Sequence, residues 1–174
     1  MTPDVSGAPP GGRANATRSA ARLAALQALY QLEITGSAPD DVIREFIDHR
    51  FERDSESESG NDRPQDEAFF ADIVRGVLKH QVEIDRAIAR SLAAGWTLQR
   101  IDSTLRALMR AAAYELVARR DVPGKVVIDE YVELSRDFFE GDEPGFVNAV
   151  LDKLARQKRA AEFGLPLRDD ELNF

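Results

Sequence analysis

Between Val5 and Leu32 the chain carries three arginines, Arg13, Arg18 and Arg22, and no acid. A guanidinium presents five donors in a planar fork, which suits bidentate contact with phosphate or stacking on a nucleobase. Arg18 and Arg22 are four residues apart, so on a helix they share a side with Leu26 and Leu29. A stripe of core residues does not ordinarily run on into two cations. The first turns of such a helix are therefore expected to project past the body of the protein, with both guanidiniums in solvent. The bland alternative is a solvated helix end without a ligand, where cations slightly oppose the helix dipole.

Other chemistry is poorly represented. There is no cysteine, hence no disulfide, thiolate metal ligand or thiol nucleophile. The two histidines, His49 and His80, are too few and too far apart for a His-based zinc site, and neither sits in a nucleophile motif. A carboxylate metal site in a helical bundle needs Glu-x-x-His pairs, which are absent. No catalytic role and no cofactor are expected. Tyr30, Tyr114, Tyr131, Phe138 and Phe146 lie on apolar stripes, where core packing is the default; one at a helix end could instead stack on an unpaired base.

The net charge of −8 weighs against nucleic acid only until its distribution is read. Residues 40–67 carry eleven acids and four bases, whereas residues 75–125 carry ten bases and five acids. Exposed charges further apart than about 10 Å are largely screened at 0.1 M salt, so an acidic total can coexist with a basic surface.

The elements that must position these residues read as helices. The 174 residues are 43% hydrophobic, enough for one domain with a core. Residues 1–14, rich in Gly, Pro and Ala, read as a flexible arm. Residues 16–35 form a helix, capped by Asn15 or Thr17 and closed by Gly36. A second helix opens at Pro39 and carries Val42, Ile43, Phe46, Ile47 and Phe51. Arg53–Gln65 has no apolar residue and reads as a loop. Apolar residues then recur at helical spacing from Phe69 to Leu92, as one long helix or two, and again from Leu98 to Leu116 and from Val127 to Phe138. Gly141–Pro144 separates the last two helices, with Asp142 as N-cap, and the pattern fades beyond Gln157. Period-two alternation is not sustained anywhere. An all-α bundle of six or seven helices follows. No apolar run reaches about 18 residues and the N-terminus lacks the apolar centre of a secretory signal, so a soluble, cytoplasmic protein without membrane contact is expected.

The segment RSAARLAALQALYQLE resembles the first helix of the NusB family. The C-terminal half resembles the same family through AYEL, then DVPGKVVIDE, then FVNAVLDK, in the family's order and spacing. The resemblance covers about residues 16–35 and 97–156. It implies a NusB-like helical domain over residues 15–158, with 159–174 as a C-terminal tail. It further implies a transcription antitermination factor that binds the boxA element of ribosomal RNA leaders with the ribosomal protein NusE, within an RNA polymerase antitermination complex. On this resemblance Arg18, Arg22, Gln27, Tyr30, Asp142 and Phe146 are RNA-binding residues, Arg13 joins them from its place in the arm just before, and Leu105 and Arg106 face NusE. Ser19, Ala20 and Ala21 stand where relatives often carry arginine, and Leu105 where an acid is common. A thin basic motif keeps a second function open, a protein-binding adapter without RNA. A third, kinship with the NusB-like part of ribosomal RNA cytosine methyltransferases, lacks the cysteine that chemistry requires.

Overall fold

In the computed structural model, residues 10–51 and 63–166 are described. Among them lie seven α-helices and no strand: α1 Pro10–Thr35, α2 Pro39–Phe46, α3 Arg63–Lys79, α4 Gln81–Ser91, α5 Ser103–Ala118, α6 Gly124–Phe138 and α7 Glu143–Lys158. No helix among the described residues is long and apolar enough to cross a membrane.

α5 is the central helix. It packs against α1, α3, α4, α6 and α7, and every residue from Ala111 to Val117 is buried. Ala111, Ala112 and Ala113 have small side chains, so the neighbouring helices can pack close to it. Phe70 and Ile73 from α3, Ile84 and Ile88 from α4, Tyr131 from α6 and Leu151 and Leu154 from α7 are buried in the same core. The sequence stripes in these segments match the buried faces except at Phe138, the last residue of the α6 stripe, which is exposed.

Local chemistry sets the ends. Gly36, at φ +65°, closes α1 in the left-handed conformation, and its N–H donates to Leu32 O at 3.0 Å. Asp102 caps α5, its carboxylate accepting from the N–H groups of Thr104 and Leu105 at 2.9 and 3.2 Å. Gly76 faces the Tyr114 ring so closely that a Cβ would overlap it. That approach seats the Tyr114 hydroxyl on Asp72 at 3.0 Å. Burial, and then this hydrogen bond, push the Tyr114 pKa up to about 12.

Several boundaries differ from the sequence reading. α1 begins at Pro10 instead of near residue 16, because proline suits a first helical turn and each further residue then adds one hydrogen bond. Residues 1–9 of the expected arm and most of the expected loop, 52–62, lie outside the described residues. The stretch from Phe69 to Leu92 is two helices, broken at His80 (φ −111°, ψ 23°). Asp142 holds the N-cap position of α7, but its side chain makes no capping bond. The expected tail is also not uniform. Arg159 and Ala160 are buried, and Ala160–Phe163 forms a 3-10 turn.

Arg159 explains that docking. Its guanidinium, 2% exposed, donates to the carbonyls of Leu116, Glu115 and Arg119 at 2.6, 3.1 and 2.8 Å and to that of Val122. Among the described residues, the carbonyls of Leu116 and Val122 have no main-chain donor at the end of α5, whereas those of Glu115 and Arg119 also accept from the N–H groups of Arg119 and Val122 at 3.0 and 3.2 Å. Glu162 completes a clip: it accepts from Arg159 at 3.1 Å and from the N–H of Gly124, in the first turn of α6, at 2.8 Å.

Candidate nucleic-acid interface

Three guanidiniums converge on one ring where α1, α3 and the end of α5 meet. The Cζ atoms of Arg18 and Arg119 each lie 5.1 Å from the centroid of Phe69, and that of Arg22 lies 5.3 Å away. A cation over an aromatic face is attracted by the ring quadrupole, so Phe69 groups charges that would otherwise repel. Acids offset part of the charge. Arg119 pairs with Asp121 at 3.1 Å and with Asp72 at 3.3 Å, and Arg18 lies 3.9 Å from Asp121. The Arg119 hydrogen bond holds the Asp121 carboxyl below its usual range.

Arg18 and Arg22 come together at this ring but do opposite things. The Arg18 side chain is 39% exposed and its ion pair is loose, so it can meet a phosphate. Arg22 is 3% exposed, which corrects the expectation that it projects into solvent. Its Nε and Nη2 donate to Glu115 of α5 at 2.9 and 2.6 Å, and Nη1 lies 3.5 Å from Glu130 of α6. Ser19 Oγ donates to the same Glu130 at 2.6 Å. Burial alone would lower the Arg22 pKa, but the hydrogen bond and charge of Glu115 outweigh it and the pKa rises. Arg22 therefore ties α1 to the centre of the bundle. A signal for this was present: Glu115 sits in a helix turn apolar on every side, and a carboxylate there requires a cation.

The remaining expected residues are scattered over the surface. Gln27 is half-buried, and its Oε1 has no hydrogen-bond partner among the described residues. Tyr30, three residues on and 40% exposed, is not a core residue. Phe138 is likewise exposed, whereas Tyr114 and Tyr131 are buried as expected. Asp142 is exposed at the start of α7, one turn from the half-buried Phe146. Phe146 packs on Trp96, ring centroids 5.9 Å apart and planes tilted by 47°. The contacts of Arg13 fall outside what is described.

The two residues expected to face a protein partner also need correction. Leu105 is 6% exposed and belongs to the core, because Asp102 starts α5 with that side turned inward. The side chain of Arg106 is 13% exposed and bonded to Glu33 and to the carbonyls of Leu98 and Ile101, the latter two at 3.2 and 3.0 Å. Arg110 extends this network, pairing with Glu33 at 3.4 Å and Asp85 at 2.8 Å. Arg106 thus anchors the turn before α5 and leaves only an edge to solvent.

Sequence reasoning missed Arg119, Arg120 and Trp96. The arginines lie in the VARRDVP segment at the end of α5, where a doublet after an apolar helix marks a basic rim. Arg120 is exposed and donates to Lys158 O at 3.1 Å. Trp96 follows Gly95 in a turn beyond the end of α4, a place where an aromatic residue can stand outside the core.

The model of the NusB family matches residues 19–156. The transcription antitermination protein NusB of Caulobacter vibrioides is 56% identical over 142 residues, 82% of this chain and 94% of the relative. A solved structure of T. maritima NusB superposes with a TM-score of 0.70 at 27% identity, covering 85% of this chain and 97% of the other. Antitermination factors NusB and NusE in complex with dsRNA include a chain that superposes at a TM-score of 0.66. It is 20% identical, covers 81% and 97% of the two chains, and supports the likeness of fold. The seven-helix fold and the motif order agree with the sequence matches: this chain belongs to the NusB family.

Proposed function

We propose that the chain is a transcription antitermination factor, not an enzyme, that binds boxA RNA of ribosomal RNA leaders together with NusE. It works in the cytoplasm, within RNA polymerase antitermination complexes. The observation that carries this reading is the strong identity to an antitermination protein over nearly that relative's whole length. Arg18 is assigned to RNA phosphates, with Arg13 one turn or more before it on α1, and Gln27, Tyr30, Asp142 and Phe146 to bases or sugars. The edge of α5 around Arg106 is assigned to NusE. Arg22 and Leu105 leave the contact set because their side chains are buried.

With so few free cations on α1, RNA affinity should depend on the partner. A basic ribosomal protein beside α1 would extend the positive surface, and coupling of the usual size makes boxA binding about 5–150-fold tighter with NusE than without it. Linkage requires RNA to tighten NusE binding by the same factor. Titrating labelled boxA RNA with and without saturating NusE measures one leg, and titrating NusE with and without RNA measures the other. Equal affinities on both legs would refute cooperative assembly. Burial of Arg22 favours one competing reading, the protein-binding adapter; NusE binding with no RNA binding on either leg would establish it.

Arg18→Ala should weaken RNA binding and make the logarithmic salt slope shallower by about 0.7, the contribution of one phosphate contact on a single strand. Thermal unfolding should barely change, because a surface substitution usually alters stability by about 0.5 kcal/mol or less. An unchanged slope in the folded variant removes Arg18 from the interface.

A further inference from the structure

Trp96 is the chain's single tryptophan and is 54% exposed, more than either Tyr30 or Phe138. Its placement is fixed by the backbone. Gly95 adopts φ +88°, a conformation that disfavours any side chain, and so turns the chain sharply after α4. The Trp96 N–H donates to Ala93 O at 3.1 Å, and Arg100 Nη1 donates to Gly95 O at 3.4 Å. Phe146 supports the indole from α7 at a centroid distance of 5.9 Å. The ring is therefore held in place without being buried.

We infer that Trp96, backed by Phe146, is a stacking platform for one unpaired nucleobase of the bound RNA, an assignment that rests on the RNA-binding reading above. The size and surroundings of the aromatic pair select this occupant. The residues flanking the two rings along the chain, Gly95, Thr97, Gln99, Arg100, Asp142 and Gly145, are exposed and mostly small or polar. Two rings in such a frame fall short of the apolar core that a protein interface builds from some 20–30 residues a side. A single base needs only one ring face, and stacks on it whatever its identity. Trp96 supplies the largest such face, and Arg100 places a cation beside the path of the adjoining phosphate.

The test uses the full-length chain with purified NusE and a fluorescently end-labelled boxA RNA. Trp96 is the chain's one tryptophan, so the part of the indole emission that disappears in Trp96→Phe reports Trp96, whatever NusE contributes. RNA added to the NusE-saturated protein should quench that emission along the same isotherm as the RNA anisotropy. Trp96→Ala should weaken RNA binding by about 5–150-fold, the range for losing one stacked base, whereas Trp96→Phe should stay within about threefold of the parent. Both variants should keep the parent's circular dichroism and NusE affinity. RNA binding with unchanged indole emission, or a Trp96→Ala variant that binds RNA as the parent does, overturns the platform and leaves antitermination intact. An emission change on NusE addition, together with weakened NusE binding by Trp96→Ala, assigns the ring to a protein contact instead. Absence of RNA binding by the parent chain with NusE present overturns both readings.

Discussion

Glu115→Ala should lower the folding free energy by about 3–5 kcal/mol, the usual cost of breaking a buried ion pair from one side. Glu115 is 0% exposed and Arg22 3%. Once the carboxylate is gone, the one acid left beside the guanidinium is Glu130 at 3.5 Å, whose side chain is 30% exposed, and the Phe69 ring is a weaker partner. An arginine cannot shed its charge to escape burial. Since whole domains are stable by about 5–15 kcal/mol, the variant should be marginal, with a melting temperature lower by roughly 6–20 °C. Arg22→Ala should cost less, because the abandoned carboxyl can take up a proton. The double change Arg22→Met with Glu115→Leu should recover most of the loss, as apolar pairs of similar volume commonly replace buried ion pairs without penalty. Urea unfolding followed by circular dichroism measures all three. A loss below about 1 kcal/mol in Glu115→Ala would mean that Arg22 reaches solvent, and would return it to the RNA contact set.

Arg159→Ala should be destabilising on a similar scale, about 3–5 kcal/mol. Four main-chain carbonyls and Glu162 share this one guanidinium. The carbonyls of Glu115 and Arg119 keep main-chain donors, but those of Leu116 and Val122 lose theirs, and each buried acceptor left without a donor costs about 1–3 kcal/mol. The loss should be concentrated at the turn between α5 and α6, so amide exchange should quicken around Val122 and Gly124 before the core is affected. Arg159→Lys should recover little, because an ammonium group has three donors and no planar fork to span both sides of the turn. A lysine variant as stable as the parent would show that charge at the helix C-terminus, not the hydrogen-bond geometry, holds the clip.

Helix class and core were legible in the residues because burial enforces a period of 3.6 over many positions at once. The stripes in α4, α5, α6 and α7 each contain several apolar residues at that spacing, and no single exception could disturb them. The interface was less legible because it depends on one residue at a time. Arg18 and Arg22 have the same spacing from the apolar stripe and the same chemistry. What separates them is a carboxylate 93 positions away in sequence, and no local pattern encodes that distance. Leu105 was misplaced for a related reason: the register of α5 is set by the Asp102 cap, which turns the residue inward. Tyr30 and Trp96 show the converse, since an aromatic residue carries the same hydrophobic signal whether it fills a core or waits at a surface.

The clip formed by Arg159 bears on how the chain is made. The guanidinium that closes the end of α5 is translated 44 residues after Glu115, whose carbonyl it binds. At about 5–20 residues per second, the ribosome leaves that helix end open for roughly 2–9 s after Glu115 has been added. Through that interval the carbonyls of Leu116 and Val122 lack the donor that joins the end of α5 to the turn into α6. Closure of this helix end is thereby tied to synthesis of the segment that carries Arg159. A nascent chain halted before Arg159 should therefore be cut more readily at the turn into α6 than the finished protein, because the clip across that turn is still missing.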